Sequence, residues 1–287
     1  MRKMLLLVLS LFIIGSSCSV QRMAIRSMGD ILDNTMKTLF EEEDLELAEH
    51  SISSNLKLLE ALIKSDPKNE KLLLMASQGF ASYSLGFVED REPERARRLY
   101  LRGKEYGMRQ LKRNRDFEKA FTGNPAVFEN ALQSFNTKDV PFLFWTAYNW
   151  AGMINLSMTN PQAIADLPRV QSMMQRVIEL DESYFFGGAH LFFATIYSIR
   201  PPILGGNIEK ADMHFQSCFK YANDQFLLPY VYYARYYATR IMDRELFENT
   251  LDKVINTPYD ILQDQTLPNK IAQEKAKRIY KKTDQLF

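Results

Sequence analysis

At 287 residues and 33.4 kDa the chain is long enough for one large domain or two ordinary ones, and 46% hydrophobic with 25% charged residues is the balance of a folded protein. Only 12 glycines and 11 prolines leave too few turn residues for a sandwich or barrel of many short strands. A net charge of +1 gives no electrostatic footprint for nucleic acid, and the basic stretch Lys104 to Arg115 reads as the solvated face of a helix.

Residues 1–17 carry the first signal. Arg2 and Lys3 form a positive n-region, and Met4 to Ile14 is an apolar run broken only by Ser10. That run is too short to span a bilayer, so it reads as a signal peptide. Gly15, Ser16 and Ser17 are small and precede Cys18, which resembles a bacterial lipobox with Gly15 in the place usually held by leucine. The resemblance implies cleavage before Cys18 and lipidation of its thiol. It leaves residues 18–40 as a lipidated N-terminus and leading helix. The plainer alternative is an ordinary secretory leader with a cysteine just past the cut. Removing Arg2 and Lys3 from 36 basic residues leaves 34 against 35 acidic ones. Cys218 then stands alone in a helical pattern among Phe215, Phe219 and Ala222, as a small buried hydrophobe without a disulfide partner.

Residues 41–287 form one repeat domain of nearly unbroken helical periodicity. Glu46 to Lys64 places Leu47, Ile52, Leu56, Leu59 and Ile63 on one face and stops at Ser65-Asp66-Pro67. Further helices are predicted over 69–88, 94–114, 125–135, 140–158, 167–180, 185–199, 208–222, 228–242, 244–256 and 268–283. A small, bulky, small spacing of four and then three residues is the mark of a tetratricopeptide unit. Asn55-Leu59-Leu62 keeps it with larger residues and Pro67 beyond. Ala96-Tyr100-Gly103, Val170-Met174-Val177 and Ala211-Phe215-Cys218 repeat it, the starts lying 41, 74 and 41 residues apart. Small residues let paired helices approach while the bulky one fills the groove. Stacked pairs then bury a continuous core and leave a concave surface. The expected fold is all-α, a tetratricopeptide-like helical-pair repeat (an α-solenoid) curled around a cleft or pore.

No catalytic constellation emerges. His50, His190 and His214 lack the helical partner that a metal site needs, so neither metal nor cofactor is expected. Glu41 to Asp44 is an acidic helix start. Gly205-Gly206 has no preceding strand and no Gly-Lys-Ser continuation. Without a nucleophile and base in reach, the reading is binding and not an enzyme. Aromatic density is the positive signal. Phe142, Phe144, Trp145, Tyr148 and Trp150 crowd one helix, Tyr184 to Tyr197 hold six aromatics, and Tyr230 to Tyr237 hold five beside Arg235 and Arg240. Helices with aromatics all round either pack as core or line a cavity, and Tyr and Trp suit an amphipathic pocket.

The run Phe144-Trp145-Thr146-Ala147-Tyr148-Asn149-Trp150-Ala151, then Val170 to Asp181 and Tyr184-Phe185-Phe186-Gly187-Gly188-Ala189-His190-Leu191, forms an ordered set of motifs. It continues through Arg200-Pro201-Pro202-Ile203-Leu204-Gly205-Gly206, Glu209-Lys210-Ala211 and Phe215, and Tyr233-Ala234-Arg235-Tyr236-Tyr237-Ala238, then Asp243 to Phe247. This order resembles the T component of tripartite ATP-independent periplasmic (TRAP) transporters, the TatT family. The resemblance implies a periplasmic lipoprotein of tetratricopeptide-like helix pairs around a pore or cleft. It also implies a homotrimer that binds the extracytoplasmic solute receptor (the P component). The implied cargo is a hydrophobic or organic-acid-like small ligand, passed to a permease driven by an ion gradient. It brings no catalytic residues.

Candidate ligand residues come from this chain itself. Trp145, Tyr148 and Asn149 share a helical turn, and His190 and Tyr197 lie two turns apart. Arg200 ends its helix, where a cation meets the negative terminus and where a planar guanidinium can take a carboxylate. Tyr233 and Tyr236 complete the wall. Pro201 to Gly206 is either rigid support or a connector. Ser19 replaces the aspartate that marks inner-membrane retention, which turns the expectation to the periplasmic face of the outer membrane. The alternative is a protein-binding scaffold lipoprotein of the envelope, with no ligand-sized cavity lined by Trp145, Tyr197 or Tyr233.

Overall fold

The computed structural model describes residues 21–121, 123–157 and 160–287. The signal peptide assigned to 1–17 and the lipidation assigned to Cys18 lie outside the described residues. Those residues are all-helical, as the sequence predicts, and none of them forms a strand. After a helical stretch over 21–27 come α1 (Gly29–Phe40), α2 (Leu45–Ser65), α3 (Glu70–Tyr83), α4 (Pro93–Leu111), α5 (Arg115–Ala120) and α6 (Pro125–Leu132). They are followed by α7 (Val140–Asn155), α8 (Pro161–Ala165), α9 (Leu167–Asp181), α10 (Tyr184–Ile199), α11 (Ile208–Ala222), α12 (Leu228–Tyr232), α13 (Arg244–Asn256), α14 (Thr266–Tyr280) and α15 (Thr283–Leu286). Among the described residues no helix is long and apolar enough to cross a membrane.

Capping explains the boundaries. Asp44 accepts from the amides of Glu46 and Leu47 at the start of α2, and Asn69, Asn114, Asn124, Asn160, Asn207 and Asp243 cap later helices in the same way. Pro93, Pro125, Pro161 and Pro229 stand at first-turn positions, where the missing amide hydrogen costs nothing. Two predicted helices depart from regularity. Residues 69–88 end in a π-helical turn, Ser84–Val88, and residues 228–242 contain another, Tyr233–Ala238.

Neighbouring helices pack in sequence, α2 on α3, α3 on α4, α4 on α7, α7 on α9 and α10 on α11. The small–bulky–small triplets sit at these seams. Ala96, Tyr100 and Gly103 are buried, and a Cβ added to Gly103 would overlap the Asn149 amide of α7. Ala211, Phe215 and Cys218 are all fully buried, as are Val170, Met174 and Val177. Side-chain hydrogen bonds between pairs recur at a steady chain separation. Lys71 reaches the Gly29 carbonyl 42 residues back, Arg109 the Pro67 carbonyl 42 back, Arg176 the Phe135 carbonyl 41 back, and Asn269 the Gln225 carbonyl 44 back.

The two ends of the array meet. Helix α14 packs on α1 and α2. Lys37 lies 3.7 Å from Asp264, and the Tyr259 hydroxyl donates to Glu43 at 2.9 Å across 216 residues of chain. Lys275 of α14 is buried and donates to Glu89 and Asp90 at 3.1 and 2.8 Å. Helix α14 thus joins the N-terminal helices along one side of an internal space.

Candidate ligand-binding cavity

Helices α1, α2, α3, α7, α10, α12 and α14 all turn residues to that space, and the directions of the inner ones follow from pairwise contacts. Gly107 faces Thr146, Gly103 faces Asn149 and Tyr100 faces Gly152, so α4 and α7 are antiparallel. Phe80 stacks on Tyr106 while Tyr83 meets Arg95, so α3 is antiparallel to α4 and parallel to α7. By the same reasoning α11 opposes both α10, through His190–His214 and Gly187–Cys218, and the continuous run of α12 and the π-turn after it, through Phe219–Tyr230 and Phe215–Tyr237. The N-terminal ends of α7 and α10 meet, where Phe144 contacts Tyr184 and Phe185 at ring distances of 5.3 and 5.7 Å.

The cavity measures about 900 Å³, within the usual range for small-molecule sites. Its base is aromatic and lies at the N-terminal ends of the inner helices. Trp145 packs edge-on to Phe185 at 4.7 Å and donates its Nε1–H to the Tyr184 hydroxyl at 3.1 Å. Phe186 stacks on Phe226 at 4.2 Å. Phe185, Phe186 and Gly187 take left-handed backbone angles, φ 47°, 56° and 71°, which two phenylalanines adopt only at a cost. The turn places both phenylalanine rings in the cavity wall. The regular part of α10 then presents Gly188, Leu191, Phe192, Thr195, Ile196 and Ile199 as one helical stripe along it.

Toward the C-terminal ends of the inner helices the wall becomes polar. The π-turn Ser84–Val88 leads into Glu89 and Asp90, and the π-turn Tyr233–Ala238 carries Arg235 and Tyr236, all four lining the cavity. Such turns rotate the following side chains relative to a regular helix and gather at functional sites. Glu89 accepts from the Tyr100 hydroxyl at 2.7 Å and from Lys275 at 3.1 Å. Burial pushes Asp90 up, but Lys275, Arg278 and Arg235 outweigh it and hold the carboxyl below its ordinary range. The hydroxyls of Tyr148 and Tyr232 are neighbours, and burial, reinforced by the Glu89 charge, pushes both far up. They remain neutral donors at any physiological pH.

Arg200 lines the cavity at the end of α10, beside Ile164, Ile199 and Leu204, three partly exposed apolar residues. The turn after it is tightly tied. Leu204 and Gly206 donate to the Pro201 carbonyl at 2.9 and 3.0 Å, Asn207 donates to the Tyr197 carbonyl at 3.1 Å, and a Cβ on Gly206 would overlap the Arg200 carbonyl. Its tip exposes Ile203 almost completely, at 92%. Among the described residues no three metal-binding side chains converge.

Residues 41–287 match the sequence profile of the TRAP transporter T-component family. The chain belongs to that family. It is also similar to an uncharacterized protein of Treponema pallidum (strain Nichols), 24% identical over 270 residues that cover 84% of each chain.

Within this T-component, Trp145, Tyr148, Arg200 and Tyr236 line the cavity. Asn149, His190, Tyr197 and Tyr233 lie outside that lining. Asn149 is fully buried in the seam of α7 with α3 and α4, beside Gly103, where its Nδ2 donates to the Ser77 and Trp145 carbonyls at 2.9 and 2.8 Å. His190 points to α11, with its Nδ1 2.8 Å from that of His214 and its Nε2 3.4 Å from Glu182. Tyr197 stacks on His214 at 5.7 Å beneath Lys210. Tyr233 stacks on Tyr237 at 4.7 Å and meets Phe215 edge-on. The physical reason is common to all four. These helices are sandwiched between neighbours, so aromatic and polar residues fill the rear seam as densely as the cavity face, and composition does not separate the two. Tyr232 and Arg235 escaped selection inside a run already noted as aromatic. Glu89, Asp90 and Lys275 carried no sequence signal, because their pairing spans 186 and 185 residues.

Proposed function

We propose that this T-component is a periplasmic lipoprotein, anchored through Cys18 to the inner leaflet of the outer membrane. In that setting it holds a small hydrophobic or organic-acid-like ligand in its cavity and associates as a trimer with the extracytoplasmic solute receptor. Family membership supports the transporter role. The steady recurrence of inter-pair hydrogen bonds supports a tetratricopeptide-like helical array. The observation that carries ligand binding is the cavity itself, about 900 Å³ with Trp145, Tyr148, Arg200 and Tyr236 in its wall. A purely protein-binding scaffold needs no such space, since an internal void forfeits packing.

Native mass spectrometry of residues 19–287 tests the reading. The expected result is a trimer carrying a co-purified small molecule, which is lost in Trp145→Ala and Arg200→Ala. A ligand-free monomer would return the protein to the scaffold class. Metabolic labelling with a palmitate analogue tests the anchor separately, with Cys18→Ala expected to abolish incorporation.

A further inference from the structure

The cavity is polarised along its length, and its polar end is short of one negative charge. Glu89 and Asp90 are opposed there by Lys275, Arg278 and Arg235. The Lys275 side chain, only 5% exposed, bonds both carboxylates, and Arg278 lies 3.2 Å from Asp90. Those two cations satisfy the two carboxylates. Among the described residues Arg235 has no carboxylate within salt-bridge distance. Its guanidinium rests 5.1 Å from the centre of the Tyr236 ring and faces the cavity. The hydroxyl-bearing rings of Tyr148, Tyr232 and Tyr236 line the same end.

We propose that the two π-turns build the head-group subsite for a single-tailed amphiphile bearing one carboxylate. Arg235 takes the carboxylate with its planar fork, and tyrosine hydroxyls donate to it. The tail runs along the inner helices toward Phe185, Phe186 and Phe226. Tail length follows from the fold. Leu228, beside that aromatic base, and Arg235 are seven residues apart, about 10 Å of helix, which excludes short organic acids as well-fitting occupants. The proposal rests on the reading that the cavity holds a ligand.

Calorimetric titration of the purified protein, stripped of bound small molecules, with decanoate, decanol and butyrate tests it. Decanoate is expected to bind at least about tenfold more tightly than either of the others, a factor worth about 1.4 kcal/mol. Arg235→Gln should abolish the preference for decanoate over decanol, Arg235→Lys should retain most of it, and Arg240→Gln, an exposed arginine outside the cavity lining, should change it less than about threefold. Equal binding of decanoate and decanol, or a preference that survives Arg235→Gln, overturns the head-group assignment and leaves the ligand cavity standing. If neither ten-carbon compound binds the wild-type protein, both readings fall.

Discussion

His190 and His214 press their Nδ1 atoms together in the seam between α10 and α11, and one must donate while the other accepts. Burial lowers both, and for His214 the neighbouring His190 and Lys210 lower it further, to about 4. The unfolded chain takes up protons near the ordinary histidine value of 6.5 that the folded pair refuses, so stability is full above that pH and falls as pH drops toward 4. A urea series between pH 7 and 5 should show the midpoint falling, and the double variant His190→Gln, His214→Gln should flatten that part of the slope. An unchanged slope would assign the acid sensitivity elsewhere. Gly103 makes a second prediction at this scale. Gly103→Ala drives a methyl into the Asn149 amide and should lower stability by about 1–3 kcal/mol, measured by urea unfolding.

At the scale of elements, much was legible. The predicted helices over 167–180, 208–222 and 244–256 match α9, α11 and α13 within a residue at either end. Asn and Asp before an apolar period, and glycine or proline after it, are local signals that tertiary context did not override. The π-turns were not legible, because a single extra residue in a helical turn leaves the apolar period nearly unchanged. The left-handed turn at Phe185 and Phe186 was hidden for a different reason. Its conformation contradicts the local preference of both residues and is held by packing against Phe144, Trp145 and Phe226. The turn Pro201 to Gly206 now reads as support for Arg200 as well as a connector. Gly205, at φ 86°, has open space where a Cβ would sit, whereas Gly206 has the Arg200 carbonyl. Gly205→Ala should cost only the left-handed strain of about 1–2 kcal/mol. Gly206→Ala must displace the turn. Amide exchange at Asn207 should therefore quicken far more in Gly206→Ala, and equal rates would show that the turn does not hold Arg200.

Across the whole molecule, residues far apart in the chain hold the cavity shut, and no local pattern announces them. Lys275→Met would leave Glu89 and Asp90 without their shared cation and should cost about 3–5 kcal/mol. Lys277→Met, which removes an exposed pair with Glu274, should stay within about 0.5 kcal/mol. The Asp90 carboxyl, held below its ordinary range, adds stability that is present above the unfolded value and lost as pH falls through the lowered one. Lys275→Met should reduce that acid-side loss, Arg278 still pairing with Asp90, which a pH series of unfolding midpoints would register.

The seam also dictates an order of events. Glu43 and Tyr259 meet across 216 residues, and Glu89 and Lys275 across 186, whereas most helix contacts are between near neighbours in the chain. Neighbouring helices can assemble as they emerge, but the cavity lacks one wall until α14, with Leu267, Pro268 and Ile271, arrives. Until then an open crescent presents Leu56, Phe144 and Phe185 to its surroundings. Closure over such separations is slow compared with local helix docking, so the nascent protein passes through a sticky, unsealed stage. The cavity is therefore the last part of the protein to form, and the part most exposed to misassembly or to capture by a holding chaperone.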